Sequence, residues 1–371
     1  MIRLKQSGKK ENTGGQVEAY RPGPCTRTNP VSGIGEIMKL VTFVAENEVQ
    51  QIGVLMKEER VIGVLQKGAG AMDGEPSPFF ADMLSFLRGG KEAQDKAMAV
   101  MEHIAAHSPP NSRVDLERVK LLAPVPRPES IRDCMSFEQH VINVIRTVGL
   151  KKLAPLDEWI EKVFGRKKTL AYQANKAFYK RPIYYKSNRF SVIGTEAEVR
   201  IPSYTKKFDY ELEWGVFLNR KGVNISKEEA RDYIGGYTIF NDFSARDIQL
   251  KEQGGRLGPS KGKDFDTGNV IGPCLVTPDE IPFPYDLTML ARINGEEWSR
   301  GTTRDMHWTF EEIISYISQS ETLYPGEFIG SGTCSGDQGR GCGLEMGKFL
   351  KTGDVVELEV QGIGKLRNRV V

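Results

Sequence analysis

The chain reads as an α+β protein, mainly β, in which a small N-terminal α+β segment precedes a larger strand-rich domain. Two observations lead there. From about residue 181 to the C-terminus, short apolar runs alternate with turn signals, and few helical patterns intervene. Strand-rich stretches of that length close into a sandwich or a barrel-like roll. Ahead of them, between residues 38 and 118, two short strands are followed by two helical stretches.

In chain order, residues 1–37 are polar, rich in Gly, Pro, Thr and Asn, and without periodicity, which predicts a disordered or non-native extension. Met38 opens the strand Lys39–Val44 and reads as the functional start. The runs Gln51–Met56 and Arg60–Leu65 predict strands joined by a turn at Lys57-Glu-Glu59, and Phe79–Leu87 and Lys91–His107 predict helices stopped by Pro109-Pro110. His103 and His107 lie four apart, but no third ligand accompanies them, so the pair reads as a solvent-facing helix end. The segment Val119–Pro126 enters the larger domain, 119–371. Glu138–Val148 comes next with a helical pattern, then a polar, basic connection to about Arg181. Within the strand-rich part, Arg231–Ile234 and Thr309–Ser320 read as helical. The loop Gly330–Gly343 matches no phosphate-binding template, and the segment after it reads as strand.

Composition narrows the function classes. The 371 residues carry 39% hydrophobic and 27% charged side chains, with Lys plus Arg (51) nearly balancing Asp plus Glu (49). No basic field points to nucleic acid, and no apolar stretch approaches the ~20 residues of a membrane span. The N-terminus lacks the apolar core of a signal peptide, and Glu11, Glu18 and Glu36 are out of place in a mitochondrial presequence. Five cysteines without a CxxC suit a reduced, cytoplasmic protein.

The most informative residues are Asp209-Tyr-Glu-Leu-Glu-Trp214 and Asn241-Asp-Phe-Ser-Ala-Arg-Asp-Ile-Gln249. Glu211 and Glu213 alternate with apolar residues in the run Tyr210–Leu218, so both carboxylates share one face of a strand. Asp242 ends a second apolar run and offers a third. Alternating carboxylates also suit the solvated face of an edge strand. Side by side, though, they repel unless a cation lies between them. Oxygen ligands without Cys or His favour Mg²⁺, Mn²⁺ or Ca²⁺.

These two motifs resemble the fumarylacetoacetate hydrolase family, and Gly258-Pro-Ser-Lys-Gly-Lys-Asp-Phe265, Gly332-Thr333 and Thr352-Gly-Asp-Val-Val-Glu-Leu-Glu359 continue the likeness in order over residues 120–371. The resemblance implies a mixed β-roll or sandwich, a divalent cation on Glu211, Glu213 and Asp242, and a homodimer. It implies that Asp133 is a further ligand, that Thr267 lies beside the metal cluster, and that His140, seven residues after Asp133, is a base paired with Glu345. Glu138 competes as the partner of His140. Lys263 would face substrate oxygens; Arg246, Gln249 and Thr333 would bind substrate; and Tyr185 would form an aromatic wall. Met135, and a residue around Gln253, replace aromatic residues of the true fumarylacetoacetases, which counts against fumarylacetoacetate as the substrate and leaves the metal site intact.

The resemblance also implies the chemistry: C–C hydrolysis of a 1,3-diketone or acylpyruvate-like substrate through a stabilised enolate. Decarboxylation, hydration or isomerisation of a 2-oxo acid is the alternative, and a catalytically silent binding protein is a third class. A lid at about residues 134–186 would read the substrate's side chain. The lid's basic residues Lys151, Lys152, Lys162, Arg166, Lys167 and Lys168 read as a solvated helix face, with attraction of an acidic substrate as the alternative.

Overall fold

A twelve-stranded mixed sheet forms the centre of the computed structural model, which describes residues 38–45, 49–56, 60–336 and 340–371. The expected N-terminal extension, the turn at 57–59 and the middle of the Gly-rich loop lie outside the described residues. The main path of the sheet runs Arg113–Asp115, Val61–Val64, Gln50–Leu55, Lys39–Val44, Asn269–Val276, Ile234–Asp242, Glu213–Leu218, Phe328–Gly330, Ile131–Cys134, Tyr184–Ser187. Strands on both sides of residue 118 therefore share it. Most pairs are antiparallel, but Phe328–Gly330 runs parallel to Ile131–Cys134.

Both faces of this sheet are covered, which explains why its central strands are continuous apolar runs. Period two divides them. Trp214, Val216, Tyr237, Ile239, Val270 and Cys274 face one core, while Phe217, Phe240, Ile271 and Leu275 face another. The first core is closed by a five-stranded sheet in the order Glu296–Thr302, Thr288–Ile293, Val355–Val360, Gly364–Val370, Glu198–Val199, which supplies Ala291, Val356 and Leu358. The helix Met83–His107 closes the second with Phe86, Ala97, Val100 and Ile104. An α+β fold, mainly β, results.

Several local expectations change. The two N-terminal helical stretches form one run, Met83–His107, broken only where Gly90 takes φ 53° and ψ −132°. The polar connection after residue 150 contains the helices Ala154–Phe164 and Leu170–Ala174. Its periodicity was hidden because a single residue of the longer helix, Asp157, is fully buried. The Gly-rich loop leads into a short helix, Gly343–Met346, rather than a strand. Arg231–Ile234 reduces to a 3-10 turn over Ala230–Tyr233. His103 and His107 stack on each other at 4.5 Å at the exposed helix end. No helix among the described residues is long and apolar enough to cross a membrane.

Trp214 is the hinge of the inter-sheet core. It is fully buried, stacks on Tyr237 at 5.2 Å and meets Tyr285 and Phe310 edge-on at 4.9 and 5.0 Å. It also immediately follows Glu213. Trp214→Ala is expected to cost about 3–5 kcal/mol by removing a large buried ring, measured by denaturant unfolding; a loss under about 1 kcal/mol would mean the core collapses around the gap.

Candidate active site

Three strand ends converge to build the site. Asp133 lies on Ile131–Cys134, between Gly330 and Tyr185 in the pairing. Glu213 opens the strand Glu213–Leu218, and Asp242 closes Ile234–Asp242. Glu211 precedes the strand, bridges to Cys342, and has its backbone N–H held by Asn241 Oδ1 at 3.0 Å. One carboxylate oxygen from each of Asp133, Glu211, Glu213 and Asp242 lies within 4.8 Å of the others, and all four residues are buried. A solvated edge-strand face is thereby excluded for the glutamate pair.

Glycines make the convergence sterically feasible. A Cβ at Gly330 would stand 2.6 Å from Asp133 Oδ1. Gly332 takes φ 78°, and its N–H donates to Glu213 Oε2 at 2.9 Å and to Asp133 Oδ1 at 3.2 Å. A side chain there would be strained and would run into the carbonyl of Cys134.

Two buried cations answer these acids. Lys263 Nζ donates to Glu211 Oε2 and Asp242 Oδ2, both at 2.5 Å. Arg246 donates from Nε to Asp209 Oδ2 at 2.7 Å, and its Nη2 lies 2.8 Å from Glu211 Oε1. Asp209 also accepts from the N–H groups of Gly343 and Leu344, and so fastens the glutamate strand to the helix carrying Glu345.

Five carboxylates thus face two cations, and the titration of the acids reflects it. Burial and the neighbouring Asp242 push Asp133 well up; burial, Asp133 and Glu211 do the same to Glu213. Burial raises Asp242 from 3.8 to about 6 even against Lys263. Glu211 also bears the cost of burial, yet Arg246 and Lys263 hold it far below the usual carboxylate range. Glu213 Oε1 and Asp242 Oδ1 are buried without a hydrogen-bond partner. Orphaned oxygens on converging, charge-excess carboxylates fit a hard divalent cation, with Asp133, Glu211, Glu213 and Asp242 as its holders.

Beside this cluster stands a second group. His140 lies on the helix Glu138–Val144, and its Nδ1 is 2.6 Å from Glu345 Oε1. Glu345 also accepts from Asn143 Nδ2 at 2.5 Å, Ser335 Oγ at 2.7 Å and the N–H of Gly341 at 3.3 Å. These partners overcome burial and hold its carboxyl below the ordinary value. His140 adds a positive influence at Glu211, so the pair and the cluster sense each other. Glu138 is engaged elsewhere, by Arg166 at 2.9 Å and Tyr179 at 2.8 Å.

The other expected residues divide. The Tyr185 hydroxyl donates to Asp242 Oδ2. Gln249 accepts from Arg246 Nη1 at 3.0 Å, and Arg246 itself is an internal clamp, 2% exposed. Thr333 is buried, its methyl against Gly341. The hydroxyl of Thr267 accepts the backbone N–H of Arg200 at 3.0 Å. Asp209, Asn143 and Ser335 were not singled out from sequence. Asp209 sits in the glutamate motif and Asn143 one helical turn after His140, so both had a local cue; Ser335 had none. Cys334 and Cys342 are free thiols.

The model of the fumarylacetoacetate (FAA) hydrolase C-terminal domain matches residues 131–371. The chain is 31% identical over 293 residues to "Oxaloacetate tautomerase fahd2, mitochondrial" of Xenopus laevis, covering 78% of each protein. It is 36% identical over 192 residues to the human "Oxaloacetate tautomerase FAHD2A, mitochondrial", covering 52% of this chain and 60% of the human one. The solved structure of a fumarylacetoacetate hydrolase from Exiguobacterium antarcticum superposes with a TM-score of 0.65 at 23% identity, over 90% of this chain and 99% of that one.

The raised carboxyl of Asp242 gives the cation site a pH signature. The folded state holds this proton more tightly than the unfolded chain, so without a cation stability is lost as pH rises from its ordinary value of 3.8 through about 6. A divalent cation relieves that penalty by replacing the proton. The rise in Tm on adding Mg²⁺ or Mn²⁺ is expected to be larger above about pH 6 than below it. Equal rises on both sides, by scanning fluorimetry, would place the cation elsewhere.

Proposed function

This chain belongs to the fumarylacetoacetate hydrolase family, and we propose that within it the protein is a divalent-cation-dependent enzyme moving a proton on and off an enolisable 2-oxo acid, with keto–enol isomerisation of an oxaloacetate-like dicarboxylate as its reaction. The observation that carries this reading is the His140–Glu345 pair standing beside the four-carboxylate cluster. The names of the frog and human relatives support the substrate class.

Asp133, Glu211, Glu213 and Asp242 would hold the divalent cation, which when bound would supply Lewis-acid polarisation of the substrate's carbonyl oxygens. The rest is the work of the protein's own groups. With Nδ1 turned to Glu345, His140 has Nε2 left to take a proton from the carbon beside the polarised carbonyl and to return it. Glu345 fixes the ring's orientation and stabilises the imidazolium that forms; the three donors on Glu345 keep it anionic while it does so. Lys263 supplies a fixed positive charge at the same place. Burial of the whole constellation excludes bulk water, which strengthens these interactions.

A second reading uses the same pair on water. His140 would take a proton from water, hydroxide would add to a substrate carbonyl, and the adjacent C–C bond would break to a carboxylic acid and an enolate that is then protonated. The close, buried hydrogen bond from His140 to Glu345 suits an activated water as well as a carbon acid.

Nuclear magnetic resonance separates the two. With Mg²⁺ or Mn²⁺, the protein is expected to speed enol–keto exchange of oxaloacetate and deuterium uptake at its methylene, and EDTA to abolish it. Cleavage of acetylpyruvate to acetate and pyruvate, without catalysed exchange, would favour hydrolysis. His140→Ala is expected to lose about 10²–10⁴-fold in kcat while Mn²⁺ affinity by calorimetry is kept. Loss of metal in that variant would make His140 a ligand instead of a base.

A further inference from the structure

A row of side chains leads from the lid region into the His140–Glu345 pair. Arg166 Nη2 donates to Gln139 Oε1 at 2.8 Å. Gln139 Nε2 donates to Asn143 Oδ1 at 2.9 Å, and Asn143 Nδ2 donates to Glu345 Oε2 at 2.5 Å. Glu345 Oε1 in turn faces His140 Nδ1. Gln139 and Asn143 are four apart on one helix and meet along the same face. The head of the row is anchored: Arg166 also holds Glu138 at 2.9 Å and Glu161 at 2.7 Å, and Arg146 joins Glu161 at 2.6 Å and Asp157 at 2.9 Å.

The row has a direction that its two ends impose. A guanidinium only donates and a carboxylate only accepts. Between them, each amide must turn its oxygen toward Arg166 and its nitrogen toward Glu345. Reversing one amide would set N–H against N–H at one neighbour and oxygen against oxygen at the other.

We propose that Asn143 is a positioning residue for the base, and that Gln139 and Arg166 transmit the packing of the lid helices to it by fixing which end of the Asn143 amide meets Glu345. The inference rests on the reading of His140 as the base. Its consequence is that the lid acts on the pair through amide orientation, not merely through shape.

Two changes at Gln139 separate this from a structural role. Gln139→Glu keeps the acceptor for Arg166 and adds a charge complementary to it, yet it presents oxygen to Asn143 Oδ1. The Asn143 amide must then turn and set its own oxygen against Glu345. Gln139→Leu removes both bonds but leaves Asn143 able to keep its donor on Glu345. Gln139→Glu is therefore expected to lower kcat by about tenfold, the scale of one hydrogen bond to a charged group, with KM little changed, and to be worse than Gln139→Leu. Asn143→Leu should match Gln139→Glu and move the acid limb of the pH profile upward, because a less shared Glu345 charge holds the imidazolium more strongly. If Gln139→Glu is milder than Gln139→Leu, or both equal wild type, the proposal is overturned. Full activity in His140→Ala would instead overturn the base reading itself. Mn²⁺ affinity and Tm, measured alongside, keep a folding defect from being mistaken for either result.

Discussion

Mutual repulsion among buried carboxylates is the constraint around which this molecule is arranged. Asp133, Glu211, Glu213 and Asp242 are brought within a few ångströms of one another out of water, where unpaired charge is most costly. The arrangement persists because the residues sit at strand ends whose positions are set by the ladder, not by their own preference. Lys263 and Arg246 offset part of the repulsion, and two carboxylate oxygens without partners mark where more positive charge is needed. A local conflict of this kind, imposed by an otherwise well-packed scaffold, is typical of a functional site.

The large sheet supplies the rigidity this requires. Its central strands are covered on both faces, by the smaller sheet on one side and the helix Met83–His107 on the other. Trp214 locks the strand directly behind Glu213. A side chain at 330 would collide with Asp133, and one at 332 with the carbonyl of Cys134. Packing therefore comes first and the chemistry is placed on its margin. The His140–Glu345 pair is held differently, by side-chain hydrogen bonds on short helices, which makes it the more adjustable half of the site.

Residues with local signals were legible from sequence. The alternation of Glu211 and Glu213 and the position of Asp242 at the end of an apolar run placed three carboxylates together. The likeness of motifs added Asp133, His140, Glu345 and Lys263. What escaped was non-local. The contact of Asp209 with Gly343 and Leu344 joins segments more than a hundred residues apart, and no period or spacing encodes it. The helix Ala154–Phe164 escaped because its inward side is a charge network centred on Asp157, so its pattern is not apolar. The bond from the Arg200 N–H to the Thr267 hydroxyl is likewise non-local, made where Thr267 takes φ 67°. Arg246 and Gln249 sit on the recognisable segment, where Arg246 is buried against Asp209 and Glu211 and donates to the half-buried Gln249.

The pairing of Phe328–Gly330 with Ile131–Cys134 bears on how the protein is made. His140 and Glu345 are 205 residues apart in the chain, and Asp133 reaches Gly332 across 199. On a ribosome the early segment must wait for the late one, with its acids exposed to water and its strand edge open. The active centre is thus among the last parts to form, and a chain stopped before residue 328 holds the strand of Asp133 without its parallel partner. High contact order of this kind slows folding, and it makes the carboxylate cluster wait on the strand at 328–330 and on Gly332.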